Sequence, residues 1–569
     1  MTNHEIARRF QQIADILEIQ GENPFKVRAY RKAVETIEDL DDSLADIAAR
    51  NGLGDLPGFG EAIISKTQDF LDTGTTALWD RIKDSVPSGV VAMASLPGIG
   101  PKTAKALWDA LSVTSIDELE KAAREERIRT VAGFGPAKER NILEAIERGR
   151  RLRERLPLYV VLPYAERMVA ALRGRPEVTQ ASVAGSLRRR KETVGDIDLV
   201  AATTDPTAAA TAFATLPGIV EVTERGTEKV TGLSDLGLRV DLRLSRPEDY
   251  GALLHHFTSG REHNRELRLR AERQGLKVNE FGIFRTSDDV EVFTGADENE
   301  VYVALGLQAV PPELRDRNDA IELAEKHALP VLITEADFRG QLHEHSNYSD
   351  GSATVRQMAE AAMARGYEYL AITDHSASLR IANGMTRDRH LRQLDEIAAL
   401  NEEYAGRFTL LTGIEADILA DGSLDCDDDI LERLDVVVGS VHIRFKEDEA
   451  AMTRRIVTAL SHPRLRILGH PTGRLLGRRE PYPVDIDAVI EAARTHGKVL
   501  EINASPDRMD LNDVYARKAK ERGVKITVNA DAHSPAGLGL LAWGLFMARR
   551  AGLTADDVIN TYPLERLRA

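Results

Sequence analysis

Apolar residues return every three or four positions through the first 150 residues. Ile6, Phe10, Ile13, Ile16 and Leu17 form one series, and Ile63, Ile64, Phe70 and Leu71, with Thr67 in register, another. That is the spacing of helices with one buried face, so residues 4–150 are expected to be all-helical. Between the helices a short unit recurs: LPGFG at 56–60, LPGIG at 96–100 and VAGFG at 131–135, each followed by a helical run. From residue 158 the character changes. Strand-like runs at Leu158 to Leu162, Ile197 to Ala201, Leu238 to Leu244 and Val290 to Phe293 alternate with helical stretches, which predicts a mixed α+β domain. Pro311 and Pro312 open a charged segment to about residue 335, read as a linker with one helix. Beyond it, strand candidates at 341–345, 369–373, 409–414, 434–439, 465–469, 498–503 and 524–529 are separated by helical stretches. That rhythm predicts a parallel α/β barrel of about seven strands.

Composition narrows the class. The chain has 569 residues, 43% hydrophobic and 29% charged, a globular mixture long enough for several domains and unlike a disordered chain. No apolar run approaches the ~18 residues of a membrane-spanning helix. The start, MTNHEIARRF, lacks an apolar signal core, so a cytoplasmic location is expected. A single cysteine, Cys426, excludes an intrachain disulfide and a cysteine-based zinc site. The net charge of −16 argues against nucleic acid, yet residues 148–191 hold 12 Lys/Arg against three Glu. Such a stripe is either a solvated face or a surface for phosphates.

In the recurring unit, two glycines let the backbone turn tightly and expose N–H groups at a helix start, where a phosphate oxygen is held without any side chain. Gly58, Gly60, Gly98, Gly100, Gly133 and Gly135 are the candidates. Gly-x-Gly also makes ordinary helix connections, but three copies favour the helix–hairpin–helix of DNA-binding proteins. Contacts of this kind position a duplex without reading its bases.

The run AGSLRRRKETVGDIDLV (184–200) places Asp196 and Asp198 on one face of a strand, with Ile197 and Leu199 on the other. Asp241 in RVDLRLS is a third candidate. Three carboxylates on one sheet face repel unless divalent cations sit among them, and two Mg²⁺ ions suit phosphoryl transfer. Gly185, Ser186 and the basic run Arg188–Lys191 suit a triphosphate. An exposed acidic strand beside an arginine loop would show the same alternation.

GSLRRRKETVGDIDLV resembles the nucleotidyltransferase signature of family X DNA polymerases, and the resemblance continues through HHFTSGREHNRELR (255–268), VNEFGIF (278–284) and NPFKVRAYRKA (23–33). It implies that Asp196, Asp198 and Asp241 are the catalytic, metal-binding carboxylates. Gly185, Ser186, Arg189 and Gly195 would meet the nucleotide's phosphates, and His256, Phe257 and Gly260 its sugar. Asn264 and Arg268 would lie in the nucleotide and template region, Arg268 against DNA. The family often carries a 5′-deoxyribose-phosphate lyase, whose Schiff-base lysine matches Lys66, with Lys26 and Tyr30 as supports. Three departures stand out: Ala62 replaces a common neighbouring lysine, Arg190 a usual glycine, and His256 a tyrosine beside the ribose. The last relaxes the expected rejection of ribonucleotides.

Nine of the 14 histidines follow residue 335. His343, His345, His375, His442, His470 and His533, with Asp350, Glu415 and Asp531, sit at or just beyond strand ends, which in a barrel share one mouth. Nine ligands suggest two or three ions, and nitrogen–oxygen donors without thiolate suit Mn²⁺, Zn²⁺ or Fe²⁺. The stretches HEHSNYSDG, ITDHS, GIEAD, SVH, GHPTG and DAHS resemble the polymerase-and-histidinol-phosphatase (PHP) domain, a distorted seven-stranded barrel with a phosphoesterase site. Gln341 stands where an aspartate often precedes the first histidine.

Together the resemblances imply a bacterial repair polymerase of several domains. These are an N-terminal helical, lyase-like domain at 1–80, helix–hairpin–helix fingers at 81–155 and an α+β palm and thumb at 156–310. The linker at 311–335 and the PHP barrel at 336–569 follow. The implied partners are gapped or nicked DNA and dNTPs, with Mg²⁺ at the palm, 3′→5′ exonuclease, AP-endonuclease or 3′-phosphatase action at the barrel, and no membrane. A monomer is expected. Two rivals remain: a DNA-end-binding scaffold with little catalysis, and a barrel acting on small phosphate monoesters.

Overall fold

The structure, a computed structural model, describes residues 3–38, 44–50, 52–94, 96, 99–153, 155–293 and 295–568. The chain forms two compact units, residues 1–154 and 155–569. Among the described residues, no helix is long and apolar enough to cross a membrane.

The first unit is helical. Ile6, Phe10, Ile13, Ile63 and Phe70 meet in its core, as their spacing requires. Gly58 and Gly133 take φ of +79° and +81°, the left-handed turn for which the hairpin needs glycine. Gly60 and Gly100 cap the helices Glu61–Thr73 and Pro101–Leu111. A side chain at Gly60, Gly100, Gly133 or Gly135 would meet only open space, so these backbones are accessible to a ligand. Gly98 lies outside the described residues.

The second unit begins with a five-stranded sheet in the order 178–183, 196–203, 239–245, 229–234, 219–225. Strands Asp196–Thr203 and Arg239–Ser245 run parallel, and the other neighbours antiparallel. The expected strand at Leu158 to Leu162 is instead the first part of the helix Leu158–Arg173. Five apolar residues fit either element, but the longer series Leu158, Val161, Leu162, Ala165, Met168, Val169 and Leu172 is buried at helical spacing. The helices Tyr250–Thr258 and Arg261–Arg273 and a three-stranded sheet follow, in the region expected to be the thumb. Segment 311–335 carries the helix Ala320–Glu325. Its Leu314, Ala320, Ile321 and Leu329 pack with Leu267, Ile283 and Tyr302 of the thumb.

Seven parallel strands then form a sheet in strict chain order from Gly340–Glu344 to Ile526–Asn529. A bridge between Glu344 and Ala532 brings its two edges together. Leu411, Val436, Val438 and Ile467 pack with Tyr369 and Ala371 against Ile559, Tyr562 and Leu567 near the chain end, which plugs the strands' N-terminal side. The polar strand ends are left at the other. Palm and barrel residues belong to one continuous core.

Candidate active sites

The parallel register sets Asp198 opposite Asp241 and Asp196 opposite Arg239. Asp241 is buried and accepts a hydrogen bond from Thr231 Oγ1 at 2.7 Å. Arg239 bridges the set, 3.0 Å from Asp196 Oδ2 and 3.5 Å from Asp241 Oδ2. Burial, reinforced by Asp196 and Asp241, pushes the Asp198 carboxyl up to about 7. Arg239 supplies part of the counter-charge, and an all-oxygen donor set of this kind fits a hard divalent ion. Gly185 has φ +54°, and a Cβ there would fall 1.9 Å from Asp198 Oδ2. The glycine of the Gly-Ser pair therefore leaves room for the Asp198 carboxylate.

Ser186 lies in the short helix Gly185–Arg188, and half-buried Gly195 precedes the Asp196–Thr203 strand. Arg188 forks onto Glu298, which also takes Arg315 at 3.0 Å. Arg189 is engaged by Thr258 O at 2.7 Å and Asp316 Oδ1 at 3.0 Å. Arg190 takes φ +57°, a left-handed conformation in which glycine costs less. In the thumb, Asn264 Nδ2 donates to the His256 carbonyl at 2.8 Å. Arg243 lies over Phe257, Gly260 starts the helix Arg261–Arg273, and Arg268 is exposed on it.

In the first unit, Lys66 Nζ donates to the Ala62 carbonyl at 2.9 Å. Burial lowers its amine below the ordinary range, Asp69 opposes this, and Lys26 adds to it. Tyr30 is buried and stacks obliquely on Phe10.

At the barrel mouth Glu415 is the hub. Its oxygens lie 3.4 Å from His343 Nε2, 3.6 Å from His345 Nε2, 2.8 Å from His375 Nδ1, 3.2 Å from His442 Nε2 and 3.0 Å from His470 Nε2. Asp531 is 3.0 Å from His345 Nε2, and Asp350 is 3.2 Å from His533 Nε2. All nine expected residues are thus brought together. Donor atoms of seven of them form three overlapping sets: His345, Asp350, His375 and His533; His343, His345 and Glu415; and His375, Glu415 and His442. The Nε2 atoms of His343 and His345 are buried without hydrogen bonds, as metal-facing nitrogens are. Burial would raise the Glu415 carboxyl, but His442, His343 and His375 outweigh it and hold it well below the carboxylate range. Burial lowers His442, yet Glu415 and Asp417 prevail and push it up to about 9.

Sequence reasoning missed the carboxylates behind these ligands. Glu501 lies 2.8 Å from His343 Nδ1 and accepts the His470 N–H at 2.8 Å. Asp417 is 2.5 Å from His442 Nδ1. Such partners set the ring tautomer, leaving the other nitrogen for a metal. The available signal was a charged Glu501 in the apolar strand VLEIN, and Asp417 two places after Glu415. Gln341 has a different task. Its amide nitrogen donates to Tyr367 OH and Leu538 O, and its oxygen accepts Ala530 N–H at 2.8 Å. It ties the first strand to the last.

Known proteins resemble the chain along its whole length. Residues 1–76 match the helix-hairpin-helix domain, 90–148 the SAM-like helix-hairpin-helix tandem, 253–316 the DNA polymerase beta thumb and 341–505 the PHP domain. The DNA polymerase/3'-5' exonuclease PolX of Bacillus subtilis is 37% identical over 571 residues, covering 100% of this chain and 99% of the relative. The chain belongs to the PolX family. Its barrel also resembles stand-alone proteins. A "Probable phosphatase" of Thermoanaerobacter sp. is 34% identical over 38% of this chain and 89% of its own length. One of Shewanella sp. is 27% identical over 40% and 88%. The PolX arrangement therefore joins a polymerase to a barrel that exists elsewhere alone.

Proposed function

We propose that this chain repairs DNA by filling short gaps from dNTPs at the palm and trimming 3′ ends at the barrel, acting as a monomer on gapped or nicked DNA. As a PolX-family member it is a DNA polymerase and 3′→5′ exonuclease, and both of its chemical domains are metal-dependent. Asp196, Asp198 and Asp241 hold two Mg²⁺. Ser186 and Arg189 take the triphosphate beside Gly185 and Gly195, and His256, Phe257 and Gly260 line the sugar. Asn264 and Arg268 meet the nucleotide and the template. Gly58, Gly60, Gly98, Gly100, Gly133 and Gly135 grip the DNA backbone. The nine barrel ligands hold two or three Mn²⁺, Zn²⁺ or Fe²⁺ ions. When bound, the ions supply the positive charge that phosphoryl transfer and phosphodiester hydrolysis require.

The observations that support this reading are the parallel strands that set Asp198 opposite Asp241 and, in the same packed unit, the three overlapping donor sets at the barrel mouth. On a gapped duplex with Mg²⁺ and dNTPs the primer lengthens. Without dNTPs and with Mn²⁺ its 3′ end recedes, and a chelator stops both. Binding without turnover in any divalent ion would instead favour the scaffold. Hydrolysis of a small monoester with DNA ends untouched would favour the phosphatase reading, for which the stand-alone relatives speak.

A second, smaller activity follows from Lys66. Its lowered amine beside Lys26 suits Schiff-base chemistry on an abasic sugar. Borohydride is expected to trap a covalent adduct on a 5′-deoxyribose-phosphate substrate, and Lys66→Ala to remove it. An adduct that survives the substitution refutes this role.

A further inference from the structure

The loop after Ser186 is held from the barrel side. Arg550 ends the helix Leu541–Arg550 and is 6% exposed. Its Nη1 donates to the Arg189 carbonyl at 2.7 Å and to Asp316 Oδ2 at 3.2 Å, while Nη2 donates to Asp513 Oδ2 at 2.8 Å. Asp316 also forms ion pairs with Arg189, whose Nε is 3.0 Å away, and with Lys191 Nζ at 3.6 Å. Arg190, in its left-handed conformation, lies over the ring of Phe546 on the same barrel helix, 4.8 Å from the centroid. Glu192 takes Arg474 Nη2 at 2.8 Å. Arg189, Arg190 and Glu192 are thus each in contact with a barrel residue, and Lys191 faces Asp316.

We propose that Arg550 is a positioning residue of the polymerase site, by which the barrel domain sets the backbone of the nucleotide-binding loop. The proposal rests on the reading that Arg189 binds the triphosphate. Arg189 and Arg550 share one half-buried carboxylate. When Arg189 turns to a phosphate, Asp316 loses a counter-ion, and Arg550 stays to neutralise it while holding the Arg189 carbonyl in place. Without Arg550, Asp316 has only the half-exposed Lys191, at 3.6 Å, as a second cation and holds Arg189 more tightly, because a poorly paired carboxylate in that setting is costly. The loop carries a non-glycine residue at positive φ, so it also loses the support that keeps its shape.

The test is steady-state single-nucleotide gap filling with the full chain. Arg550→Met is expected to raise KM for the dNTP about tenfold with kcat changed less than about threefold. Exonuclease rate on single-stranded DNA is expected to stay within about twofold, since Arg550 touches none of the barrel ligands. Arg550→Lys, which keeps the charge and loses the fork, restores part of the KM. An unchanged KM, or a KM defect matched by an equal loss of exonuclease in a folded protein, overturns the proposal. If Arg550→Met fails to fold, Phe546→Leu decides: it withdraws the ring under Arg190, and a KM unchanged from the parent refutes the barrel's role. Arg189→Ala separates the two levels. If it leaves KM unaltered, the triphosphate reading fails. If it raises KM while Arg550→Met does not, only the positioning role fails.

Discussion

Replacing Asp196 and Asp198 together by alanine is expected to lower gap filling by at least about a thousandfold while the exonuclease stays within about twofold. The size follows from the register. Asp198 stands beside Asp241 on a parallel strand and is already pushed up to about 7 by burial and its two acidic neighbours. Removing two of three carboxylates leaves one oxygen donor group, too few for two divalent ions. Arg239, which bridges Asp196 and Asp241, would then face Asp241 alone and add a repelling charge where a cation must sit. The fold is expected to survive, because the substitutions remove mutual repulsion and the strand keeps its buried partners Ile197 and Leu199. Primer extension and 3′-end trimming, measured on the same preparation, check this. Loss of both in a folded protein would show that the two activities are not divided between the sites.

The reverse result is expected for His343→Ala with His345→Ala: exonuclease falls by at least about a thousandfold and extension is retained. His345 belongs to two of the three donor sets and His343 to one, so the pair reaches into the centre of the cluster. Metal content measured on the purified protein should fall with activity. Thermal unfolding should also move down. Glu501 loses its His343 partner while remaining fully buried and keeping the His470 and Asn529 donors, and the loss of one hydrogen bond to a charged group costs about 1.5–3 kcal/mol. Metal loss with unchanged trimming would remove the barrel from the chemistry.

Much of this architecture was legible in the order of residues. Helical spacing located the first unit, and strand-like runs alternating with helical stretches located all seven barrel strands, because those elements bury one face or a whole strand. The convergence of the nine candidate residues was legible for a related reason: strand ends of a parallel barrel converge, so nine polar residues at such ends have one destination. The failure at Leu158 to Leu162 has the same physics behind it. A run shorter than two helical turns does not distinguish a buried strand from a buried helix, and the deciding residues, Ala165 to Leu172, lie beyond it.

Local spacing was therefore enough for the donor types, the parallel carboxylates and the glycine turns, each of which is a short-range property of the backbone. Three things depended on packing. Glu415 became the common centre of five imidazoles, Glu501 and Asp417 came to stand behind the histidines, and the loop at 189–192 came to rest on a barrel helix. Arg189 and Arg550 are 361 positions apart, and His343 and Glu501 are 158 apart. No periodicity carries information over such distances. Contacts of that kind exist only once two finished surfaces have excluded water between them and every buried charge has found its partner.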